Sequence, residues 1–212
     1  MTIFKLLIFS FIITTTFQAY SYTPEEGNIT ANYNLLVNKS DFSSSVAKNP
    51  YYGGFALVAN GDLNSSGALE VAIIQTQKLY LRTADPYTIT ERAKLVHISM
   101  GYRHWFSSIF SASLAIASEY SYGSPQIHFS NLPPTQKLET SAYDTTEYGI
   151  DLDLQAELWT NGKYGVTLDT RYYYSLTPRS HEKANAYSLM IGLRYLIQEK
   201  YQDKSLSKIS HL

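Results

Sequence analysis

The chain has 212 residues, of which 44% are hydrophobic and only 17% charged, with 19 tyrosines, no cysteine and a formal net charge of −1. That length suits one domain, and the charge content falls below the roughly 25% of an ordinary soluble domain. The near-neutral balance excludes the basic field that nucleic acid requires. The absence of cysteine excludes disulfide stapling, thiolate-bound zinc or iron–sulfur clusters and thiol catalysis.

In chain order, Lys5 precedes an apolar run from Leu6 to Phe17, and Ala19 and Ser21 place small residues just before Tyr22. A run of about a dozen apolar residues is too short to cross a bilayer as a helix. Residues 1–21 therefore read as a signal peptide cleaved before Tyr22. Beyond Tyr22 no stretch approaches about 18 apolar residues, so a mature chain in a membrane must cross it as a closed sheet.

A first strand is expected from Ile29 to Val37, with Tyr33, Leu35 and Val37 on one face. Phe55 to Ala59 leads into a turn at Asn60-Gly61-Asp62, and Ala68 to Leu81 reads as one long strand. In the next strand Lys94, Val96, Ile98, Met100 and Tyr102 oppose Ala93, Leu95, His97, Ser99 and Gly101. After a link around Arg103-His104-Trp105-Phe106, Phe110, Ala112, Leu114 and Ile116 alternate with Ser111, Ser113, Ala115 and Ala117. The pattern is sharpest from Tyr148 to Leu158, where Tyr148, Ile150, Leu152, Leu154 and Leu158 oppose Gly149, Asp151, Asp153, Gln155 and Glu157. Such strict period-two alternation marks a strand with two unlike faces. A tight turn at Thr160-Asn161-Gly162-Lys163 follows, then strands over Tyr164–Leu176 and Tyr187–Ile197.

The tally is eight strands. Short links at 60–66, 103–107 and 160–163 alternate with longer ones at 38–52, 82–90, 123–144 and 177–185. Strands near eleven residues, unequal loops and aromatics at strand ends favour a membrane barrel over a soluble sandwich or a lipocalin-like barrel. Trp105, Phe106, Trp159, Tyr164 and Tyr195 would form one aromatic girdle, and Tyr120, Tyr122, Tyr148, Tyr172, Tyr174 and Tyr187 the other. The expected fold is thus all-β: an eight-stranded antiparallel up-and-down transmembrane β-barrel over 22–198, with a polar periplasmic tail at 199–212.

Over roughly Ile29 to Gln198 the chain resembles the small eight-stranded outer-membrane barrels, the OmpA-like transmembrane domain and the general outer-membrane β-barrel family. The resemblance rests on the strand pattern, on Gly67-Ala68-Leu69-Glu70 opening a strand, and on Gly192, Tyr195 and Ile197 in the last strand. Those three match the assembly signal of that class. Met190 stands where a polar residue is usual, and the chain continues past Ile197 to Leu212. The resemblance implies export to the outer membrane and contact with its lipids, lipopolysaccharide and the barrel-assembly machinery. It also implies a monomer with no cofactor.

An eight-stranded barrel is filled by its own side chains, and buried charges must pair. The lumenal faces carry Asp151, Asp153, Glu157, Asp169, Arg171 and Arg194, together with Glu119. They are expected to form an interior ion-pair network, with Arg171 and Arg194 neutralising Asp153, Glu157 or Asp169. A second reading makes that network the gate of a narrow, low-conductance pore. A third takes His97 and Ser99 as base and nucleophile, as in lipid A deacylases of barrel fold, but both point away from lipid. No catalytic or metal site is expected, since His128 and His181 lack ligand spacing and no phosphate-binding glycine loop occurs. Envelope structure or surface contact through the loops is the leading expectation.

Overall fold

The computed structural model describes residues 22–144 and 146–198; the expected signal peptide and tail lie outside them. Eight strands form the wall: β1 (Ile29–Ser40), β2 (Tyr52–Asp62), β3 (Gly67–Ala84), β4 (Tyr87–Trp105), β5 (Phe110–Ser130), β6 (Glu147–Thr160), β7 (Tyr164–Ser175) and, after the two-residue strand β8 (Glu182–Lys183), β9 (Ala186–Gln198). Every wall strand runs antiparallel to its chain neighbours, and β1 pairs with both β2 and β9. The ring is therefore closed, and no edge strand of the wall is left facing lipid. No helix among the described residues is long and apolar enough to cross a membrane.

The alternation read in the sequence becomes an inside and an outside. Leu35, Leu57, Ile73, Met100, Leu114, Ile116, Leu152, Leu154, Ile191 and Leu193 point outward and are exposed. Their partners in the pleat, among them Asn34, Ala56, Ala72, Ser99, Ser113, Asp151, Asp153 and Arg194, are buried. An apolar band of this extent on a water-facing surface would be unfavourable at roughly 25 cal/mol per Å²; against hydrocarbon it costs nothing. The protein is polar inside and greasy outside, the reverse of a soluble barrel.

Three expectations change. The link at 82–90 is not a long loop: β3 and β4 stay paired to Ala84 and Tyr87, leaving only Asp85-Pro86 at the tip. The loop expected from Gly123 begins later, because β5 continues to Ser130 along β4. Trp105 does not join the girdle; it is buried at the short-turn end, its ring centroid 5.6 Å from that of Tyr22. The alternation of β4 runs on through Arg103 and Trp105, so both lie inside where a turn was expected. Phe106, Trp159, Tyr164 and Tyr195 remain exposed at that end.

Two expectations follow for the wall. Folded protein should migrate faster than boiled protein on a detergent gel, and mobility unchanged by boiling would exclude a closed barrel. Leu152→Arg, mid-band, should lower the unfolding free energy in lipid vesicles by about 2–4 kcal/mol, while Leu158→Arg at the band's edge should cost about 0–1 kcal/mol. Urea titration measures both.

Candidate functional site

The lumen divides into two halves. On β1, β2, β3 and β9 the inward residues Leu36, Ala56, Val58, Ala72, Ile74 and Met190 form an apolar cluster. Met190, a departure from the usual final-strand pattern, packs there almost without exposure. The opposite half, from β3 through β7, is built of charge.

Its centre is two arginines and three carboxylates. Arg103 donates from Nε to Glu70 Oε2 at 2.6 Å, from Nη1 to Ser111 Oγ at 2.7 Å, and from Nη2 to Asp153. Arg171 donates from Nη2 to Glu70 Oε1 at 2.8 Å and from Nη1 to Asp151 Oδ2 at 3.1 Å. It also reaches Ser99 Oγ at 3.0 Å, and its Nε lies 3.7 Å from Asp153 Oδ1. Ser113 adds a hydrogen bond to Glu70 at 3.0 Å. Glu70 thus bridges both guanidinium groups. Removing either cation would leave buried carboxylates without a counter-charge, a loss of about 3–5 kcal/mol in comparable cases.

Asp151 joins this centre to a second group nearer the long loops. His97 Nε2 lies 2.8 Å from Asp151 Oδ2, and His97 Nδ1 lies 3.1 Å from Glu119 Oε1. Lys78, fully buried, bonds to Glu119 and, at 3.1 Å, to Glu147 Oε2. Tyr80 donates to the same Glu147 oxygen at 2.8 Å. The Lys78 ammonium also sits 4.5 Å from the ring centre of Tyr80 and 4.7 Å from that of Tyr173, a favourable cation–π geometry.

A third group lies near the short turns. Arg194 Nη2 donates to Glu157 Oε1 at 2.9 Å and to Thr160 Oγ1 at 2.8 Å. Gly165 makes room for it: a Cβ there would stand 2.9 Å from Arg194 Nη2. The six residues expected to form one network therefore fall into separate places. Asp151, Asp153 and Arg171 belong to the centre, and Glu157 and Arg194 to the third group. Asp169 takes hydrogen bonds from Gln155 Nε2 at 2.5 Å and Thr167 Oγ1 at 3.0 Å and, among the described residues, forms no ion pair with an arginine. Glu70, Lys78, Arg103 and Glu147 were not foreseen as members. Each is buried on the inward side of its own strand.

Side chains pack into both ends of the lumen. At the long-loop end the chain after β5 folds back across the opening in a single 3-10 turn (Ser141–Tyr143). Thr140 bonds Glu91 Oε2 through its N–H at 2.9 Å and its hydroxyl at 2.6 Å. Ser141 N–H donates to Glu182 Oε2 at 3.0 Å, and Ala142 packs with Tyr80, Ala93, Leu95 and Ala184. Burial pushes the Glu182 carboxyl above its ordinary range, against the Ser141 hydrogen bonds that favour its charged form. At the other end Tyr22, Trp105 and Leu196 pack together. Between the two ends some buried polar atoms, including the side-chain amides of Asn32 and Asn34, have no protein partner. Polar atoms in that position are the kind that ordered water satisfies.

No family model matches the chain, and no curated protein matches it. Solved structures do. Outer membrane protein OprG from Pseudomonas aeruginosa aligns over 84% of this chain and 100% of its own, at 7% identity and a TM-score of 0.54. Ail, the attachment invasion locus protein of Yersinia pestis, covers 81% and 99% at 14% identity with a TM-score of 0.44. Neisserial surface protein A covers 80% and 99% at 15% identity with a TM-score of 0.40. The OprG alignment is a likeness of fold, and it agrees with the closed ring and the apolar exterior: the chain is an eight-stranded antiparallel β-barrel of the outer-membrane type.

Proposed function

We propose that the protein is a closed, non-conducting outer-membrane barrel that serves envelope structure or surface contact through its extracellular side. The observation that carries this reading is the filled lumen, with Arg103, Arg171 and Lys78 tied to five carboxylates between two packed ends. A conducting path would have to displace these pairs, and each released charge would lose its partner in a space with little water to replace it.

The extracellular side supports the second half of the proposal. Past its last pairing with β6 at Glu119, β5 continues as the outer strand of a sheet with β4, β3 and the two-residue β8. From Tyr120 to Gln136 the chain carries no charged residue, and Tyr120, Tyr122 and Ile127 are exposed. Exposed loops and strand tips on a rigid scaffold are where contact residues concentrate.

His97 and Ser99 are employed otherwise than in catalysis in this reading. Each imidazole nitrogen faces a carboxylate, and the Ser99 hydroxyl accepts from Arg171. Both side chains are buried on the lumenal face, out of reach of a lipid substrate.

Purified protein in planar bilayers should show no discrete conductance steps; reproducible steps of one size would replace this reading with the narrow pore. Arg103→Ala should lower unfolding stability by about 3–5 kcal/mol in a urea titration. Cells lacking the protein should become more sensitive to detergent while their uptake of small solutes stays unchanged. Slower solute uptake would speak for transport instead.

A further inference from the structure

The periplasmic mouth holds Tyr22 in a pocket assembled from four strands. Its hydroxyl donates to Asp62 Oδ2 on β2 at 2.5 Å, and its ring packs on Trp105 of β4. The Arg194 guanidinium of β9 lies 4.1 Å from the ring centre. The backbone N–H of Tyr22 is hydrogen-bonded to the Glu157 carboxylate on β6. The residues that follow are tied down too: Glu25 N–H donates to Asp62 Oδ2 at 3.1 Å, and Gly27 N–H to the Asp62 carbonyl at 3.0 Å. Tyr22 itself is 4% exposed.

The pocket's charge does not balance on its own. Asp62 and Glu157 bring two negative charges against the single positive charge of Arg194, so a cation at the Tyr22 nitrogen would complete it. As an internal amide that nitrogen is neutral. Ala19 and Ser21 are the small residues that direct cleavage to the bond just before it.

We propose that this pocket is the receptor for the chain's own processed N-terminus: cleavage before Tyr22 creates an α-ammonium that pairs with Glu157 and locks the periplasmic mouth. The proposal rests on reading Ala19 and Ser21 as the cleavage signal. A signal-cleaving endopeptidase hydrolyses the Ser21–Tyr22 bond with one water molecule. The hydroxyl goes to the Ser21 carbonyl carbon, making a carboxylate, and the Tyr22 nitrogen becomes an amine. α-Amino groups ordinarily titrate at about 7.7–8.0, so at neutral pH that amine takes a further proton from solvent. The Glu157 carboxylate, already bonded to the same nitrogen, then faces a full positive charge. The precursor lacks this pair; the mature barrel has it. Processing thereby becomes part of the fold's closure, and the cover on the mouth is fastened only after the leader has gone.

Two measurements test this. Protein isolated from outer membranes should begin at Tyr22 by N-terminal sequencing, and any other start overturns the proposal. Barrel with a free Tyr22 amine should then be compared with the same chain acetylated there, following the temperature at which the folded gel band is lost. The free amine is expected to raise that temperature by about 2–4 °C, and Glu157→Gln should abolish the difference. Equal temperatures, or a difference that survives in Glu157→Gln, would overturn it. The wild-type pair needs no substitution, so it decides even if the variant does not fold. The barrel reading stands or falls separately, on whether a folded band forms at all.

Discussion

Everything in this molecule depends on one constraint: a backbone in hydrocarbon has no water to bond, so every amide of the wall must find a partner in the wall. The pairing of β1 with β9 meets it by closing the ring. Closure then dictates the side chains. Because the pleat alternates, each strand that shows leucine or isoleucine to lipid must turn the next residue inward. The interior of a ring of only eight strands is filled by side chains, and small residues such as Gly149, Gly165 and Ser113 let the larger groups interleave.

The interior chemistry is a response to that crowding. Arg103, Arg171 and Lys78 are each nearly or completely shut off from solvent, and each faces at least two carboxylates. Planar guanidinium groups suit the task, since one fork can bond acceptors on several strands at once. Arg171 on β7 reaches Glu70 on β3, Asp151 on β6 and Ser99 on β4. The bond to Asp151 joins neighbouring strands, whereas those to Glu70 and Ser99 cross the lumen and brace the ring against collapse while filling it. The same density of contacts is why the proposed function lies at the surface and not along the axis.

Legibility from sequence followed the physics of each region. Over β6, β7 and β9 lipid lies outside and charge inside, so the alternation is strict and the faces of Asp151, Asp153 and Arg171 could be assigned. Above the apolar band the outside of β5 is wet, and the contrast between faces disappears. Gly123 to Ser130, with Pro125 within it, then reads as a loop although the strand continues. β3 hid Glu70 and Lys78 because its inward side mixes Ala, Ile and Thr with them, which blurs the polar parity. The partners could not be read at all. Glu70 and Arg171 are 101 residues apart, and only the curvature of the closed sheet brings them together. Trp105 was misplaced for a related reason: aromatic residues near a turn suit a girdle, and nothing local announces that the alternation of β4 has carried the ring inside.

The division of the lumen has a mechanical meaning. Ion pairs and hydrogen bonds are directional, and between β3 and β7 they resist both shear and spreading of neighbouring strands. The cluster of Leu36, Ala56, Val58, Ala72, Ile74 and Met190 holds its side by methyl contacts, which slide past one another with little change in energy. The wall is therefore a stiff arc joined to a compliant one. Breathing of the barrel, and any yielding to lateral pressure from the bilayer, is expected to be easier around that apolar cluster than between β3 and β7.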